Sequence, residues 1–596
     1  MKKKIIYSFC YLLFGGMLIT SCKKEDVLPE SNTPSQKPVS TDEQTKIGKK
    51  LPNPFTVENM QNAYNQLSRQ KTETELETNQ LYVRFFPETT EDTKSLEEQG
   101  LILWDIPLDV EVEQYGTTYH NPVSPNTTMT WLYTIVKPDY EFGNIKHEII
   151  DSLFLPNLVS NEQKRTKSLF NEFTDDDLVS KSLELLGYEN GEGTGPKRAS
   201  AKYTPRGFIK VQQNINGSVT NVGVKRVKVR SRWWFDIGTG YTDDNGYFSC
   251  NETYRKNRDV NIIIIFENEY VDIRGIKGLN FLDVFFTERK NIGEFENGSL
   301  ENINYTFNNS TDLNSNNKRF WMACHMLNTI REHHIYCSLE GIQTPPKGLN
   351  LWLTNAGKNG YSLSTDAAAP MLKQMGNSSI ILDATKLFLV SSGHPYYAIS
   401  LQVLLQYPPD ITYNYSGSEA AKNINSDEIA QTLFHELSHA SHYSKVGNSF
   451  WTSYIAYIVQ HKGYGDASKN GSGRIAISEA WAEFCGARFA HLRYGDNTSI
   501  GNTWVTEIEN FIPYYTDNTW NWRPYGIMHD LADVGEPDWY NVPDVIDNVS
   551  GYSISQCFGS MDSDVTSVSE YKGRFISEYG SAQQSNINLL FKSYGY

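Results

Sequence analysis

The stretch that decides the reading is "SDEIAQTLFHELSHASHY", Ser426 to Tyr443. Apolar Ile429, Leu433, Leu437 and Ala440 recur at three- and four-residue steps, the period of a helix with one buried face. Asn425 or Ser426 can cap its start, Asp427 and Glu428 suit the positive end of the helix dipole, and Gly447 marks its end. Three of the chain's twelve histidines, His435, His439 and His442, fall within this segment. His435-Glu436-Leu437-Ser438-His439 is an HExxH pattern. Residues four apart on a helix face the same way, so two imidazoles can grip one metal, while Glu436, about 100° round the helix, reaches a bound water instead. His442 also falls on the ligand face. Seven residues rise about 10 Å, too far for a tetrahedral ion seated between the other two, so it is expected at the cleft wall or behind a ligand.

Chance alone produces one HExxH in about 1–2% of chains of this composition, so a second feature has to carry the reading. It stands at "ISEAWAEFCGARFA", Ile477 to Ala490, where Glu479 and Glu483 are again four apart on one helix face. Ala480, Ala482, Gly486, Ala487 and Ala490 would let this helix approach another closely. With both patterns in place, the chain resembles the gluzincin zinc metallopeptidases, the thermolysin and neprilysin type. The resemblance implies Zn2+ bound by His435, His439 and Glu479, Glu436 as general base, and Glu483 as the acid that orients a ligand histidine. The interval from His439 to Glu479 is 39 residues, longer than in the thermolysin group. It leaves Glu479 and Glu483 both as candidates for the third ligand, with Glu479 preferred because it comes first in the matching pattern. The insert "SFWTSYIAYIVQHKGYGDASKNGSGR" is expected to form an extra helix and a Gly-rich loop. The metzincin pattern, with glycine where His442 stands and histidine where Lys445 stands, is absent. For the oxyanion donor that such peptidases need, the candidates are Tyr525 and His529 in "RPYGIMHDLADVGEP".

The N-terminus "MKKKIIYSFCYLLFGGMLITSC" has the charge-then-apolar order of a secretory signal, and "ITSC" resembles the lipobox of bacterial lipoproteins. That implies cleavage before Cys22, acylation of its thiol, and a Bacteroidetes-type outer-membrane lipoprotein, periplasmic or surface-exposed. Membrane contact is then through the lipid anchor only. Loss of residues 1–21 removes three lysines and no acid, taking the formal charge from −16 to −19. That charge argues against nucleic acid as a partner. The remaining cysteines, Cys250, Cys324, Cys337, Cys485 and Cys557, are odd in number and lack CxxC spacing, which argues against a disulfide framework.

The expected organisation is multidomain: signal 1–21, tether 22–50, a small α+β domain 51–160, a linker 161–203, a β-sandwich 204–290 and a zincin-like α+β catalytic region 291–596. The tether is rich in Pro, Ser, Thr and Lys and cannot bury a core. In the first domain "QLYVRFFP", "LILWDIPLDVEV" and "MTWLYTIV" read as strands and "EDTKSLEEQ" as a helix. The segment around "TDDDLV" and "ENGEGTGPKRASA" reads as the linker. The strands around the "NG" and "DDNG" turns, with "TDDNGYF" at Thr242 to Phe248, resemble the carboxypeptidase regulatory-like domain. Asp243, Asp244 and Asn245 lack the alternating acidic ligands of a calcium loop and read as a turn. Farther on, "NKRFWMACHMLNTIREHHIYCSL" reads as a helix, and "LNLWLTN" and "SSIILDA" as strands. The functional expectation is a lipid-anchored zinc metalloendopeptidase acting on protein or peptide substrates, glycosylated or not. The alternatives are an enhancin-like enzyme directed at glycoproteins or mucins, and a surface binding lipoprotein whose zincin fold no longer cleaves.

Overall fold

Alternation along "QLYVRFF" puts Tyr82 on one face of a strand and Val83 and Phe85 on the other, and both faces are covered. In the computed structural model this strand, Gln80–Phe86, is the centre of an antiparallel sheet between Leu132–Val136 and Lys146–Leu153. One face receives helices Val57–Leu67 and Asp175–Leu185, and the other receives helix Thr90–Glu98 through Leu96. The described residues are 45–68, 74–114, 116, 119, 130–159, 173–188, 201–276, 287–355, 366–376, 380, 383–384, 407–415, 422–495, 522–533 and 546–596. The signal segment, Cys22 and most of the expected tether lie outside them. The chain is α+β and multidomain, with mixed sheets and helices around several cores.

Three expected boundaries change. Lys46–Lys50, placed in the tether, is a strand paired antiparallel with Val110–Gln114. Composition showed only that this segment has little to bury; backbone pairing requires no apolar side chain. Of "LILWDIPLDVEV", only its end is a strand, and Trp104 makes a lone bridge to Tyr133. The expected linker contains the helix Asp175–Leu185, opened by a reciprocal cap: Asp177 N–H donates to Thr174 Oγ1 at 3.3 Å and Thr174 N–H to Asp177 Oδ2 at 2.9 Å. Leu178, Val179 and Leu183 are buried, and Ser182 Oγ donates to the Pro54 carbonyl at 2.6 Å.

Residues 206–307 supply two facing sheets. One runs Asp236–Tyr241, Lys228–Trp233, Val260–Ile265, Arg289–Phe295; the other contains Tyr247–Ser249, Arg206–Ile215 and Ile303–Phe307, with Ser218–Gly223 on its edge. Ile209, Val211, Val229, Ile262, Ile264 and Ile292 fill the core between them. The strands at 289–307 carry this unit past the expected limit of 290. Val271–Ile276 instead pairs in parallel with Leu349–Thr354 in a different sheet. Asp243 Oδ1 accepts from Asn245 N–H at 2.8 Å and Tyr247 N–H at 2.9 Å, and Asp244 pairs with Arg331 at 3.1 Å, so this stretch is an Asx turn.

Helix Asn316–Glu340 is capped by Ser315 and ended by Gly341 in the left-handed region, and is buried on nearly all sides. It lies between the two-sheet unit, where Trp321 Nε1 donates to the Gln212 carbonyl at 2.6 Å, and the helix that carries HExxH. The sheet Val271–Ile276, Leu349–Thr354, Ile411–Asn414, Asp366–Ala368 is parallel except for its last edge strand. Of the expected strand "SSIILDA", the described residues Ile380, Asp383 and Ala384 are helical, and the rest lies outside the described residues. The five described cysteines are buried free thiols. Among the described residues no helix is long and apolar enough to cross a membrane.

Candidate metal centre

Helix Ser426–His461 starts where Asn425 N–H donates to Glu428 Oε2 at 2.9 Å. Its apolar stripe Ile429, Leu433, Leu437 and Ala440 is fully buried. That burial fixes the helix's rotation, and with it the direction of the histidines. His435 and His439 stand with ring centroids 4.9 Å apart. The expected end at Gly447 is a sharp bend: Gly447 takes φ 75° and ψ −175°, and the helix resumes beyond it to His461. A loop then leads to helix Ser472–Tyr494, so the insert does form a helix and a loop.

The two site helices touch at a glycine. A Cβ on Gly486 would stand 3.1 Å from His435 Cβ and 3.2 Å from its Cα, tight enough that the two helices would have to move apart by a few tenths of an ångström to accept it. Trp481 Nε1 donates to the Ser438 carbonyl at 3.2 Å and locks the pair in register. This close approach brings Glu479 against both histidines. Glu479 Oε1 is 3.3 Å from His439 Nε2 and Glu479 Oε2 is 3.7 Å from His435 Nε2. One ligand atom from each of the three residues lies within 4.8 Å of the others. A tetrahedral zinc with bonds near 2.0–2.1 Å separates its ligands by roughly 3.3 Å, so the set fits such an ion. The donor chemistry agrees. Carboxylate oxygens face imidazole nitrogens in a nearly dry site, where lone pairs turned toward each other require a proton or a cation between them. His439 Nδ1 is buried without a hydrogen-bond partner.

The electrostatics follow from this crowding. Burial by itself would raise the Glu479 carboxyl, but His439 and His435 hold it well below the usual carboxylate range. Burial likewise disfavours charge on His435, and Glu479 and Glu483 overcome it and raise its pKa. Without metal, His435 therefore keeps a proton between the two carboxylates.

Glu483 Oε2 lies 3.0 Å from His435 Nδ1, the ring nitrogen turned away from Glu479. Glu436, one residue from His435 on the same helix, is 6% exposed, and its charge adds to burial and Glu479 in raising the phenols of Tyr454 and Tyr464. Burial, then the charge of Glu479, push the Tyr525 phenol well above the ordinary range. His529 stands beside Phe484, the residue that follows Glu483. Its ring is 6.4 Å from Phe484, and burial with Arg488 lowers it to about 4. His442, expected at the cleft wall or behind a ligand, is buried, with its ring 5.1 Å from Phe450 and 5.9 Å from Trp451 and Nδ1 3.4 Å from Ser478 Oγ. Burial lowers it to about 3, so it stays neutral.

Sequence reasoning missed the residue nearest the acid. Tyr454, on the helix beyond Gly447, donates its hydroxyl to Glu479 Oε1 at 2.6 Å and stacks on Trp451, whose ring is 6.0 Å from that of His439. The signal was an aromatic pair at an i, i+3 spacing, which is indistinguishable from core packing until the bend at Gly447 is known. Arg523 was also missed; its guanidinium lies over the rings of Tyr464 and Tyr525 at 4.6 Å and 5.0 Å. Comparison with protein-family models, curated proteins and solved structures gives no match, so the site rests on its own residues.

Proposed function

We propose that the chain is a zinc-dependent metallopeptidase of gluzincin type, with Glu436 as its general base. The observation that carries this reading is the convergence of His435, His439 and Glu479 beside a buried Glu436 on the same helix. Zinc held by these three residues would supply a Lewis acid that polarises a carbonyl and brings the pKa of a coordinated water to about 7. Glu436 takes the water's proton and passes it to the leaving amine. Tyr525, kept protonated by its surroundings, donates a hydrogen bond to the oxygen on which negative charge develops. Glu483 fixes the ring orientation of His435, and Tyr454 fixes the carboxylate of Glu479. The same proposal extends to a carboxypeptidase regulatory-like sandwich at 204–307, a catalytic region that follows it, and a lipid anchor at Cys22 that holds the enzyme at the outer membrane.

The test is Glu436→Gln, which keeps size and hydrogen bonding but removes the base. Zinc content and thermal midpoint should match wild type, while peptide hydrolysis falls by at least roughly 10²-fold. Equal rates in the two proteins would place the activity elsewhere. A zinc-loaded wild type inert toward a broad library of peptides and glycopeptides would favour a binding lipoprotein instead.

A further inference from the structure

Two buried arginines of this region of the chain, Arg319 and Arg493, are paired with carboxylates. Arg319 Nε donates to Glu288 Oε2 at 2.8 Å, and Arg493 Nε meets Glu332 Oε2 at 2.7 Å. Arg523 differs. Its Nε is shut off from solvent without a hydrogen-bond partner, and no carboxylate among the described residues pairs with its guanidinium. The group is nonetheless held in place. Tyr464 and Tyr525 flank it, Tyr464 is fixed by its carbonyl accepting from Tyr457 Oη at 3.0 Å, and the neighbouring Trp522 carbonyl accepts from Tyr596 Oη at 2.7 Å. Tyr464 is 38% exposed, so this corner opens outward. Tyr457, which holds Tyr464, stands three residues past Tyr454, whose hydroxyl donates to Glu479, and burial, then the charge of Glu479, raises the phenols of both Tyr464 and Tyr525.

A guanidinium fork wedged between two rings, with its donors unused, suits a planar anion approaching from the open side. We infer that Arg523, with Tyr464 and Tyr525, forms a subsite that receives a carboxylate of the substrate next to the bond to be cut. The inference rests on the metallopeptidase reading and narrows its substrate class to peptides with a carboxylate near the scissile bond. That carboxylate is either the chain terminus, which would make the enzyme an exopeptidase, or an acidic side chain of an internal residue.

The experiment separates these sources and does not depend on turnover. Zinc-loaded Glu436→Gln protein is titrated by calorimetry with three probes: an N-acetylated tripeptide with a free terminal carboxylate, its C-terminal amide, and an amidated tripeptide carrying one glutamate. The expected result is that one carboxylate probe binds at least about tenfold more tightly than the neutral amide, the least a desolvated bidentate pair should give. Which of the two does so identifies the source. Adding Arg523→Gln should bring the ratio to about one, and Arg523→Lys should leave it intermediate, because the charge remains but the fork is lost. Equal affinity for all three probes overturns the inference without any variant having to fold. So does an Arg523→Gln protein that loses zinc affinity yet keeps the discrimination, since Arg523 would then only balance the charge of Glu479. Failure of wild type to cleave any peptide would count against the enzymatic reading and leave the binding result standing.

Discussion

Tyr454→Phe removes one oxygen and leaves the ring that stacks on Trp451, with centroids 4.8 Å apart and planes 20° from parallel. The lost group donates at 2.6 Å to Glu479 Oε1, the same oxygen that stands 3.3 Å from His439 Nε2. Glu479 is 2% exposed, so water is poorly placed to replace the donor. A hydrogen bond to a buried charge is worth about 1.5–3 kcal/mol. Part of that is lost with and without metal, because the hydroxyl reaches Glu479 in the ion-free site too. What remains for zinc is the cost of a carboxylate free to turn, and losing such a supporting partner typically lowers metal affinity by about 10–100-fold, or ~1.4–2.7 kcal/mol. Competition against a chelating zinc indicator reads this directly, with circular dichroism as the control for folding. A Tyr454→Phe protein that binds zinc within about twofold of wild type would show that the hydroxyl does not position Glu479.

Glu479→Ala should abolish stoichiometric zinc binding, whereas Glu483→Ala should weaken it by about 10–100-fold, because Glu483 reaches only the far nitrogen of His435; metal titration ranks the two. Gly486→Ala sets a methyl against backbone atoms of His435, which cannot swing aside; thermal melts should show a net loss of up to about 2 kcal/mol after helix propensity is credited, and zinc affinity should fall with the shift of His435. His325 is buried against the Gln212 carbonyl, and burial, with Arg493, lowers it to about 3. The unfolded chain protonates this histidine first, near pH 6.5, so its neutral burial stabilises the fold above that pH and loses this contribution as pH falls toward 3. Urea titrations across that window should give a steeper slope for wild type than for His325→Gln, by up to about 1.4 kcal/mol per pH unit.

What was legible in the sequence was local. HExxH and ExxxE each repeat at four residues, and helical geometry converts that spacing into a shared face without knowledge of the remaining chain. The run of small residues through Gly486 foretold the close helix contact, although not that His435 would be opposite. The helix at Asp175–Leu185 was legible too, through Thr174 and Asp177, but the surrounding acidic, Gly-rich composition outweighed the cap. Lys46–Lys50 carried no such signal, because its partner strand lies some sixty residues on. The sandwich limit failed for a related reason: the chain leaves for another sheet at Val271 and returns at Arg289, a crossing that no local pattern encodes.

The long interval between His439 and Glu479 weakened the likeness to thermolysin-type enzymes on sequence grounds, yet its contents bear on the site directly. Because Gly447 bends the chain, the second half of the helix folds back over the first, and its aromatic face closes on the ligands it follows. Trp451 lies against the His439 and His442 rings, Tyr454 donates to Glu479, and Tyr464 on the loop flanks Arg523. A spacer would leave these contacts to other elements or to water. Here the inserted residues help exclude water from His439 and Glu479 and supply a phenolic donor to that carboxylate. Under the proposed metal reading the extra length supports the third ligand, and the choice of Glu479 over Glu483 follows from it: Glu479 accepts from Tyr454 and faces both Nε2 atoms, whereas Glu483 meets His435 from behind at Nδ1.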